Sequence, residues 1–426
     1  MSLYKKIRQG YKFYLLPLIV TLFLYSCSKS DNEEVPVNKE IYEIMQEIYL
    51  WYEYVPDVNI SLFNTPYELM DVLRYKTLDK WSVVLTRDEF DQYFNKGEMI
   101  GHGFLLGLDN LNRCRIAFVY TSTQAYEKGI RRSWIVRKIN DVFVTPENYI
   151  SLLGKSEIGI RNKFEFITPG GEIVSHYLTK EVLEIKAVLH YEILNIEDKN
   201  TGYMVFQDFI ETAIPDIDET FALFINNNLD ELIIDLRYNG GGSISVATHI
   251  AGWLYGNAQS GKPLIKLLHN DKFEELDTII TMPHNEKGLN LDRVFFIGSN
   301  LTASASELLI NGLEPFTEVI LIGDNTHGKP VGMYTFSFTD YNYTILPVCF
   351  RFTNSNDEGD FYSGLVPDSF AEDDLTKDFG DPQEDCLEVA LNYIKTGIPP
   401  VSIQKSTGKT HILNMENPVN NYLRAY

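Results

Sequence analysis

A serine, a run of glycines and a lysine stand in three short segments of this 426-residue chain, where they could carry out acyl-transfer chemistry. Residues 302–307 read TASASE, and Ser304 stands between two alanines. Segment 235–242 reads DLRYNGGG, and segment 324–330 reads DNTHGKP, with Lys329 near its end. A serine hydroxyl becomes a nucleophile when a neighbouring base takes its proton. Each segment alone has an ordinary structural explanation, so the hypothesis requires that all three meet.

Two residues of the third segment could serve as the base. Lys329 could do so only as a neutral amine, so its pKa must fall by several units from about 10.4. Burial in a crevice and a nearby positive helix dipole both lower the pKa of a lysine. His327 competes with it, because histidine is the commoner partner of a reactive serine. We place Lys329 first, although the residues alone leave the two close.

The same segments offer donors for a developing oxyanion. Ser304 falls at the start of a predicted helix, where the N–H of Ala305 has no partner within the helix. The run Gly240 to Gly242 allows backbone shapes that expose N–H groups. One glycine N–H together with that of Ala305 would form a two-donor oxyanion hole, and losing one such donor costs about 3 kcal/mol of transition-state stabilisation.

The elements around these segments predict why they should meet. Residues 231–236, 293–298 and 318–323 are short apolar runs that indicate buried strands. Two segments that lie between these strands, residues 243–256 and 303–313, have apolar residues at helical spacing. Strands that alternate with helices predict a parallel sheet in an α/β fold. Because ligands bind at the carboxyl ends of such strands, the three loops should emerge at one edge of the sheet.

Two further regions precede this α/β part. The apolar spacing of residues 41–52 and 66–76 predicts two helices, and we assign residues 41–98 to a small helical N-terminal domain. Residues 99–185 contain short strand-like runs separated by turn residues, which predicts a β-rich module. Such a module could bind a peptide as an added strand, or it could be purely structural.

The first 26 residues have the pattern of an export signal. A basic stretch is followed by an apolar run that is too short to span a bilayer comfortably. It ends in Leu-Tyr-Ser before Cys27, which resembles a bacterial lipobox, the pattern in which the cysteine becomes the lipidated first residue. We therefore expect a lipoprotein signal peptide at 1–26, a polar tether at 27–40 and a membrane anchor at Cys27.

Charge and cysteine content exclude two classes of function. The net charge of −22 and the lack of a basic stripe argue against nucleic acid as a partner. Cys114, Cys349 and Cys386 lack the spacing of a zinc site, so we expect buried apolar thiols and no metal or other cofactor.

The three motifs, in this order, resemble those of the tail-specific or C-terminal processing peptidases, the S41 family of serine peptidases. The resemblance extends from about Tyr42 to Tyr393. Within the family, the chain is similar to the bacterial lipoproteins that contain a PDZ domain. It implies an α/β fold: a crotonase-like (ClpP/crotonase) core with a parallel-rich sheet at 186–395, a PDZ-like domain at 99–185 and a small helical N-terminal domain. A C-terminal tail at 396–426 follows.

The resemblance also implies roles for individual residues. Ser304 corresponds to the nucleophile and Lys329, 25 residues later, to the general base. Ala305 and Gly242 correspond to the oxyanion hole, with Gly241 as the alternative glycine. Gly103 and Phe104, in the sequence GHGF, occupy the place of a carboxylate-binding loop that holds the C-terminal end of a substrate.

One departure affects the expected activity. Many family members have a glutamine four residues after the lysine, and Met333 stands there in this chain. A thioether is a poor hydrogen-bond acceptor, so something else must orient the lysine.

We expect a serine endopeptidase that acts on polypeptides. The alternatives are a peptide-binding module with a degenerate core and a hydrolase of another acyl substrate, such as an ester. The expected location is the bacterial cell envelope, with a lipid anchor in the outer membrane.

Overall fold

The described part of the chain, which comprises residues 20–21, 36–399 and 411–413 of a computed structural model, contains nine α-helices and 23 strands, besides short 3-10 and π-helical turns. The helices are α1 Pro36–Glu47, α2 Pro66–Leu73, α3 Arg87–Phe90, α4 Gln124–Glu127, α5 Tyr149–Leu153, α6 Ile214–Asn226, α7 Ile244–Tyr255, α8 Ala305–Leu313 and α9 Asp385–Thr396. Among these residues, no helix is both long and apolar enough to cross a membrane.

The strands fall into five sheets. They are β1 Val20–Thr21, β2 Val83–Thr86, β3 Glu98–Gly101, β4 Phe104–Leu108, β5 Cys114–Val119, β6 Ile135–Ile139, β7 Val142–Phe143, β8 Arg161–Ile167, β9 Ile173–Thr179, β10 Glu181–Glu184, β11 Val188–Ile196, β12 Lys199–Phe206, β13 Glu231–Asp235, β14 Pro263–Leu268, β15 Thr278–Thr281, β16 Arg293–Gly298, β17 Glu318–Gly323, β18 Val331–Met333, β19 Phe336–Phe338, β20 Tyr343–Leu346, β21 Val348–Asn354, β22 Ser369–Phe370 and β23 His411–Ile412. Strand β1 pairs in parallel with β19. The rest of the predicted signal peptide and Cys27 lie outside the described residues.

The N-terminal region forms as the apolar spacing predicts, but it starts earlier. Helix α1 begins at Pro36, inside the segment 27–40 that we predicted to be a tether. Val37 is fully buried there, and Asn38 Nδ2 donates to the carbonyl of Phe63 at 2.9 Å, so this polar-looking stretch packs against the domain. Strand β2 then pairs antiparallel with β20, which joins this region to the α/β part.

The β-rich module has its own sheet and its own core. Its strand order is β23-β4-β5-β6-β8-β9, with β7 paired to β6, and all of these pairings are antiparallel. Its core consists of apolar side chains from these strands and from α4 and α5, among them Phe104, Ile116, Phe164 and Phe166. The turn at Asn140 and Asp141, both with positive φ, reverses the chain between β6 and β7.

The α/β part is built on a six-stranded sheet. Its order is β11-β12-β13-β16-β17-β22, and every pairing is parallel except that between β11 and β12. The predicted strands at 231–236, 293–298 and 318–323 are confirmed as neighbours in this sheet. Helix α8 packs against α7 and against a second, four-stranded sheet of order β15-β14-β21-β18.

Candidate active site

The three predicted loops meet beyond the carboxyl ends of β13, β16 and β17. Ala303 N donates to the Asn239 carbonyl at 3.1 Å, which joins the glycine loop to the serine loop. His327 N donates to the Thr302 carbonyl at 2.9 Å, which joins the serine loop to the lysine loop. The parallel pairing of these strands places their ends at one edge, as the sequence predicted.

Ser304 occupies the N-cap position of α8 in an unusual backbone conformation. Its φ is 55° and its ψ is −114°, a region that non-glycine residues rarely adopt and that clusters at functional sites. Ser304 is half-buried, whereas Ser306 in the same motif is fully buried and donates to the Asn239 carbonyl at 3.0 Å. Of the two serines in TASASE, Ser304 therefore carries the hydroxyl that a substrate could reach.

Glu307 links the serine to the lysine loop. One carboxylate oxygen accepts from the backbone N–H of Ser304 at 2.9 Å and from that of Lys329 at 2.8 Å. The other accepts from Gly328 N at 2.6 Å and from Thr326 Oγ1 at 2.5 Å. The side chain has no exposed surface, and this burial raises the pKa of the Glu307 carboxyl above its usual value, although the four donors oppose the shift. A single buried group thus fixes the two loops relative to each other.

Lys329 is buried beside Met333. Its side chain is 2% exposed, and Nζ lies 4.0 Å from Met333 Sδ. Burial lowers the pKa of Lys329 to about 8, while the negative charges of Asp79 and Glu307 work in the opposite direction. Among the described residues no hydrogen bond joins Ser304 Oγ to Lys329 Nζ, and such contacts often tighten only when substrate binds.

His327 is engaged elsewhere through both ring nitrogens. Nε2 accepts from the indole N–H of Trp81 at 3.1 Å, and Nδ1 faces the carbonyl of Asn300 at 3.3 Å. Burial, followed by the charge of Lys329, lowers the pKa of His327. A neutral imidazole held this way has its basic nitrogen occupied, which favours Lys329 as the base.

The glycine loop lies directly against the serine. A methyl group on Gly241 would come within 2.7 Å of Ser304 Cβ and 2.9 Å of Ala305 N, so a side chain has no room there. The N–H of Gly241 donates to Asn239 Oδ1 at 2.9 Å and is therefore occupied. This favours Gly242, whose φ is +136°, over Gly241 as the partner of Ala305 in an oxyanion hole.

The N-terminal region contributes two side chains that the sequence did not reveal. Asp79 is 2% exposed, accepts from Tyr49 OH at 2.7 Å and acts electrostatically on Lys329. Trp81 reaches His327 from a position 246 residues earlier. Contacts over such separations leave no local pattern in a sequence.

A buried ionic cluster joins the β-rich module to the loop that carries the glycines. Arg132 of the module donates to Tyr238 OH at 2.5 Å and to Asp373 Oδ1 at 2.6 Å. Arg237 donates to the same Asp373 oxygen at 2.9 Å and to Glu384 at 2.5 Å. Arg237 and Tyr238 belong to the segment DLRYNGGG, so the cluster holds the backbone that leads into the glycines. Breaking a buried ion pair by removing one partner is strongly destabilising.

Gly103 and Phe104 lie at the start of β4. Gly103 has a φ of +87°, and its missing Cβ would meet the side chain of Thr123 at 2.5 Å. The Phe104 side chain is 6% exposed and packs edge-on against Phe164 in the core of the module. Phe104 can therefore offer a ligand its backbone, while its ring shapes the core.

The three cysteines in the described part of the chain are free and buried, as predicted: Cys114, Cys349 and Cys386. In the same residues, the side chains of His, Cys, Asp and Glu form no group of three or more that could hold a metal ion.

Two family models match the chain and together cover about half of it. Residues 36–83 match the Peptidase S41 N-terminal domain, and residues 200–369 match Peptidase family S41. A carboxyl-terminal-processing protease of Synechocystis is 22% identical over 335 residues, which is 76% of this chain and 75% of that protein. Carboxyl-terminal-processing peptidase 3 of Arabidopsis thaliana is 29% identical over 130 residues, which is 30% of this chain but only 24% of that protein.

A solved structure shows the same fold. The crystal structure of an S41 protease candidate from Bacteroides fragilis is similar to 88% of this chain and all of that chain, with a TM-score of 0.71 and 23% sequence identity. The similarity extends beyond the α/β part, because the 88% of the chain that is matched is more than residues 186–395 alone could supply.

Proposed function

Because this chain belongs to peptidase family S41, a family of serine-type hydrolases, we propose that it is an endopeptidase in which Ser304 and Lys329 form the catalytic dyad. The observation that carries this proposal is Glu307, whose one buried carboxylate binds the backbone of both residues. A side chain that fixes two loops in this way supplies the positioning that covalent catalysis needs.

The arrangement supports the following reaction. The neutral amine of Lys329 takes the proton of Ser304 Oγ as that oxygen attacks the carbonyl carbon of a peptide bond. The N–H groups of Ala305 and Gly242 stabilise the negative oxygen of the tetrahedral intermediate. The protonated Lys329 then gives its proton to the leaving amine, which departs and leaves an acyl-enzyme. The Lys329 amine, neutral again, then takes a proton from water as the water oxygen attacks the ester, and it returns that proton to Ser304 Oγ as the acid product departs.

The lowered pKa of Lys329, about 8, supports its role as the base. A substantial fraction of the amine is then neutral near pH 7 to 8, whereas an ordinary lysine would be almost wholly charged. The Met333 thioether beside Nζ also fits this role, because it offers the ammonium no charged partner.

We assign substrate capture to the β-rich module, residues 99–185, as a PDZ-like domain, and catalysis to residues 186–395 as a crotonase-like core. The turn at Gly103 leads straight into β4, and an extended polypeptide could pair with the edge of β4 that faces away from β5, where residues 411–413 lie in this structure. The buried Arg132 cluster holds this module against the segment that precedes the glycines.

We also propose that a lipid on Cys27 anchors the protein in the bacterial cell envelope. The sequence Leu-Tyr-Ser-Cys after an apolar run supports this assignment. Replacing Cys27 with alanine should release the protein from the membrane fraction, and mass spectrometry of the wild-type N-terminus should show an acylated cysteine. A wild-type chain that is processed elsewhere and carries no lipid would contradict the anchor.

The dyad is tested by comparing Ser304→Ala with Ser306→Ala on a fluorescently labelled, unstructured polypeptide. The first variant should lose cleavage to background and keep its thermal unfolding midpoint, whereas the second should keep activity within about tenfold. A fluorophosphonate probe should label the wild-type chain at Ser304 and fail to label Lys329→Ala. Binding of peptides without labelling would instead indicate a peptide-binding module, and turnover restricted to esters would indicate another acyl hydrolase.

A further inference from the structure

A short segment from the C-terminal part of the chain lies on the edge of the β-rich module. Strand β23 pairs antiparallel with β4, with His411 opposite Leu108 and Ile412 opposite Gly107. The backbone N–H of Leu413 then donates to the carbonyl of Leu106 at 2.9 Å. Residues 411–413, which we call the tail strand, thus continue the sheet on the side of β4 opposite β5.

This edge is the one we assigned to substrate. Strand β4 begins at Phe104, immediately after Gly103, and the tail strand runs along it toward that turn. An extended polypeptide that adds to a sheet edge gains its affinity from the same backbone hydrogen bonds that the tail strand makes. A substrate and the tail strand therefore compete for the same donors and acceptors.

The side chains of the tail strand show which peptides the edge accepts. Leu413 packs against the core of the β-rich module, and Ile412 packs against the larger core that includes the α/β part. Successive residues of a strand point to opposite faces, so the edge presents an apolar surface on each side. Two consecutive apolar residues in an extended conformation fill both surfaces.

We propose that the edge of β4 is a peptide-binding site whose resting occupant is the chain's own tail strand. The ligand class is an extended polypeptide segment with two consecutive apolar residues, and such a segment must displace residues 411–413 before it can bind. The inference deepens the proposed function, because it assumes that the β-rich module captures substrate. It adds an autoinhibitory contact that sets the substrate concentration at which capture begins.

The size of the expected change in peptide affinity follows from the covalent connection between α9 and the tail strand. Helix α9 ends at Thr396, and 14 residues separate it from His411. A competitor that is covalently linked over so few residues acts at an effective concentration in the millimolar range. If the free segment binds with a dissociation constant of about 0.1 mM, the covalent link weakens the apparent affinity for any other peptide about tenfold.

The test measures binding of a labelled peptide with the sequence of residues 409–416, KTHILNME, to full-length protein. All variants carry Ser304→Ala, so the measurement does not depend on cleavage. Replacing Ile412 and Leu413 with aspartate should strengthen probe binding about tenfold. The matched control is Ile398→Asp, a position that is 68% exposed, and it should leave the affinity unchanged.

Hydrogen exchange gives a second measurement that needs no substitution in the tail strand. The Leu413 amide should be protected in the resting protein, and saturating probe should remove that protection. Equal probe affinity in the double variant and the control, or a Leu413 amide that exchanges at the rate of an unstructured peptide, would overturn the inference. If protection and the affinity difference vanish on dilution to nanomolar protein, the occupant belongs to a second copy and the intramolecular contact is wrong.

The two proposals can fail separately. A protein that cleaves polypeptide but shows no effect of the Ile412 and Leu413 changes refutes the tail strand as occupant and leaves the dyad in place. A protein that releases the tail strand but never labels at Ser304 refutes the dyad alone.

Discussion

Glu307, in the first turn of α8, accepts a hydrogen bond at 2.8 Å from the backbone N–H of Lys329, which lies in the loop after β17. The same carboxylate oxygen accepts from Ser304 N at 2.9 Å. A hydrogen bond to a buried carboxylate is stronger than one between neutral groups, and here the acceptor has no exposed surface. The relative position of Ser304 and Lys329, the proposed nucleophile and base, is therefore set by one side chain that has no part in the proposed proton transfer.

Replacing Glu307 with glutamine should disrupt this arrangement. Each carboxylate oxygen accepts two hydrogen bonds, whereas the amide nitrogen of glutamine can only donate. In one orientation that nitrogen would face the backbone N–H groups of Ser304 and Lys329. In the other it would face Gly328 N and Thr326 Oγ1, which are also donors. We expect kcat to fall about 100-fold, and we expect stability to fall by about 1–3 kcal/mol because buried donors lose their acceptor. Steady-state cleavage and thermal unfolding measure the two effects.

The matched control for this change is Glu314→Gln, at the exposed C-terminal end of the same helix. It makes the same chemical change without touching either loop and should keep wild-type kcat. Full activity in Glu307→Gln would show that the loops hold their positions without this carboxylate.

The pH dependence of cleavage should report Lys329. The base acts only when neutral, so kcat/KM should fall roughly tenfold per unit as the pH drops below the Lys329 pKa of about 8, and should level off above it. If His327 were the base, the inflection would lie below 6.5, because burial lowers its pKa. Initial rates between pH 5.5 and 10 distinguish the two.

Asp79→Asn should move that inflection to lower pH. The negative charge of Asp79 raises the pKa of Lys329, so removing the charge favours the neutral amine. The variant keeps an oxygen for Trp81 N and Ser82 N, which both donate to Asp79 Oδ1. An inflection that stays in place would show that the charge at position 79 does not reach the base.

Changing His327 to glutamine should have little effect on the chemical step. Glutamine can accept from the Trp81 indole N–H, which is what His327 Nε2 does at 3.1 Å. We expect kcat within about tenfold of wild type, because the proton acceptor is untouched. A loss comparable to that of Lys329→Ala would identify His327 as part of the proton transfer, and the same assay on both variants decides between these results.

The strands and loops of the site could be predicted because their signals are local. Short apolar runs followed by glycine or polar loops identify β13, β16 and β17, and the parallel arrangement then brings Ser304 and Lys329 to one edge. The spacing from Ser304 to Glu307 is also that of a capping box, which could have predicted the bond from Glu307 to Ser304 N.

The remaining parts of the site depend on contacts between distant segments. Nothing near Glu307 in the sequence shows that it also binds Lys329, 22 residues later. Trp81 and the tail strand reach their partners across most of the chain, and Asp79 reaches the base through packing of the N-terminal region. The start of a helix is also hard to predict, because residues 36–40 have the composition of a polar linker but form the first turn of α1, where Val37 is fully buried.

Lys329 should reduce the stability of the fold that it serves. Its pKa is about 8 in the native state and about 10.4 when unfolded, so the unfolded chain binds more protons between these values and stability rises with pH across that window. Below pH 8 the full penalty applies, about 3 kcal/mol for a shift of this size. Lys329→Met should therefore unfold at a higher temperature than wild type at pH 7, with a smaller gain at pH 10, while losing cleavage. Lys155→Met, at a side chain that is 83% exposed, is the control and should change neither property. A destabilised Lys329→Met variant would mean that the amine makes contacts in the native state that outweigh its burial.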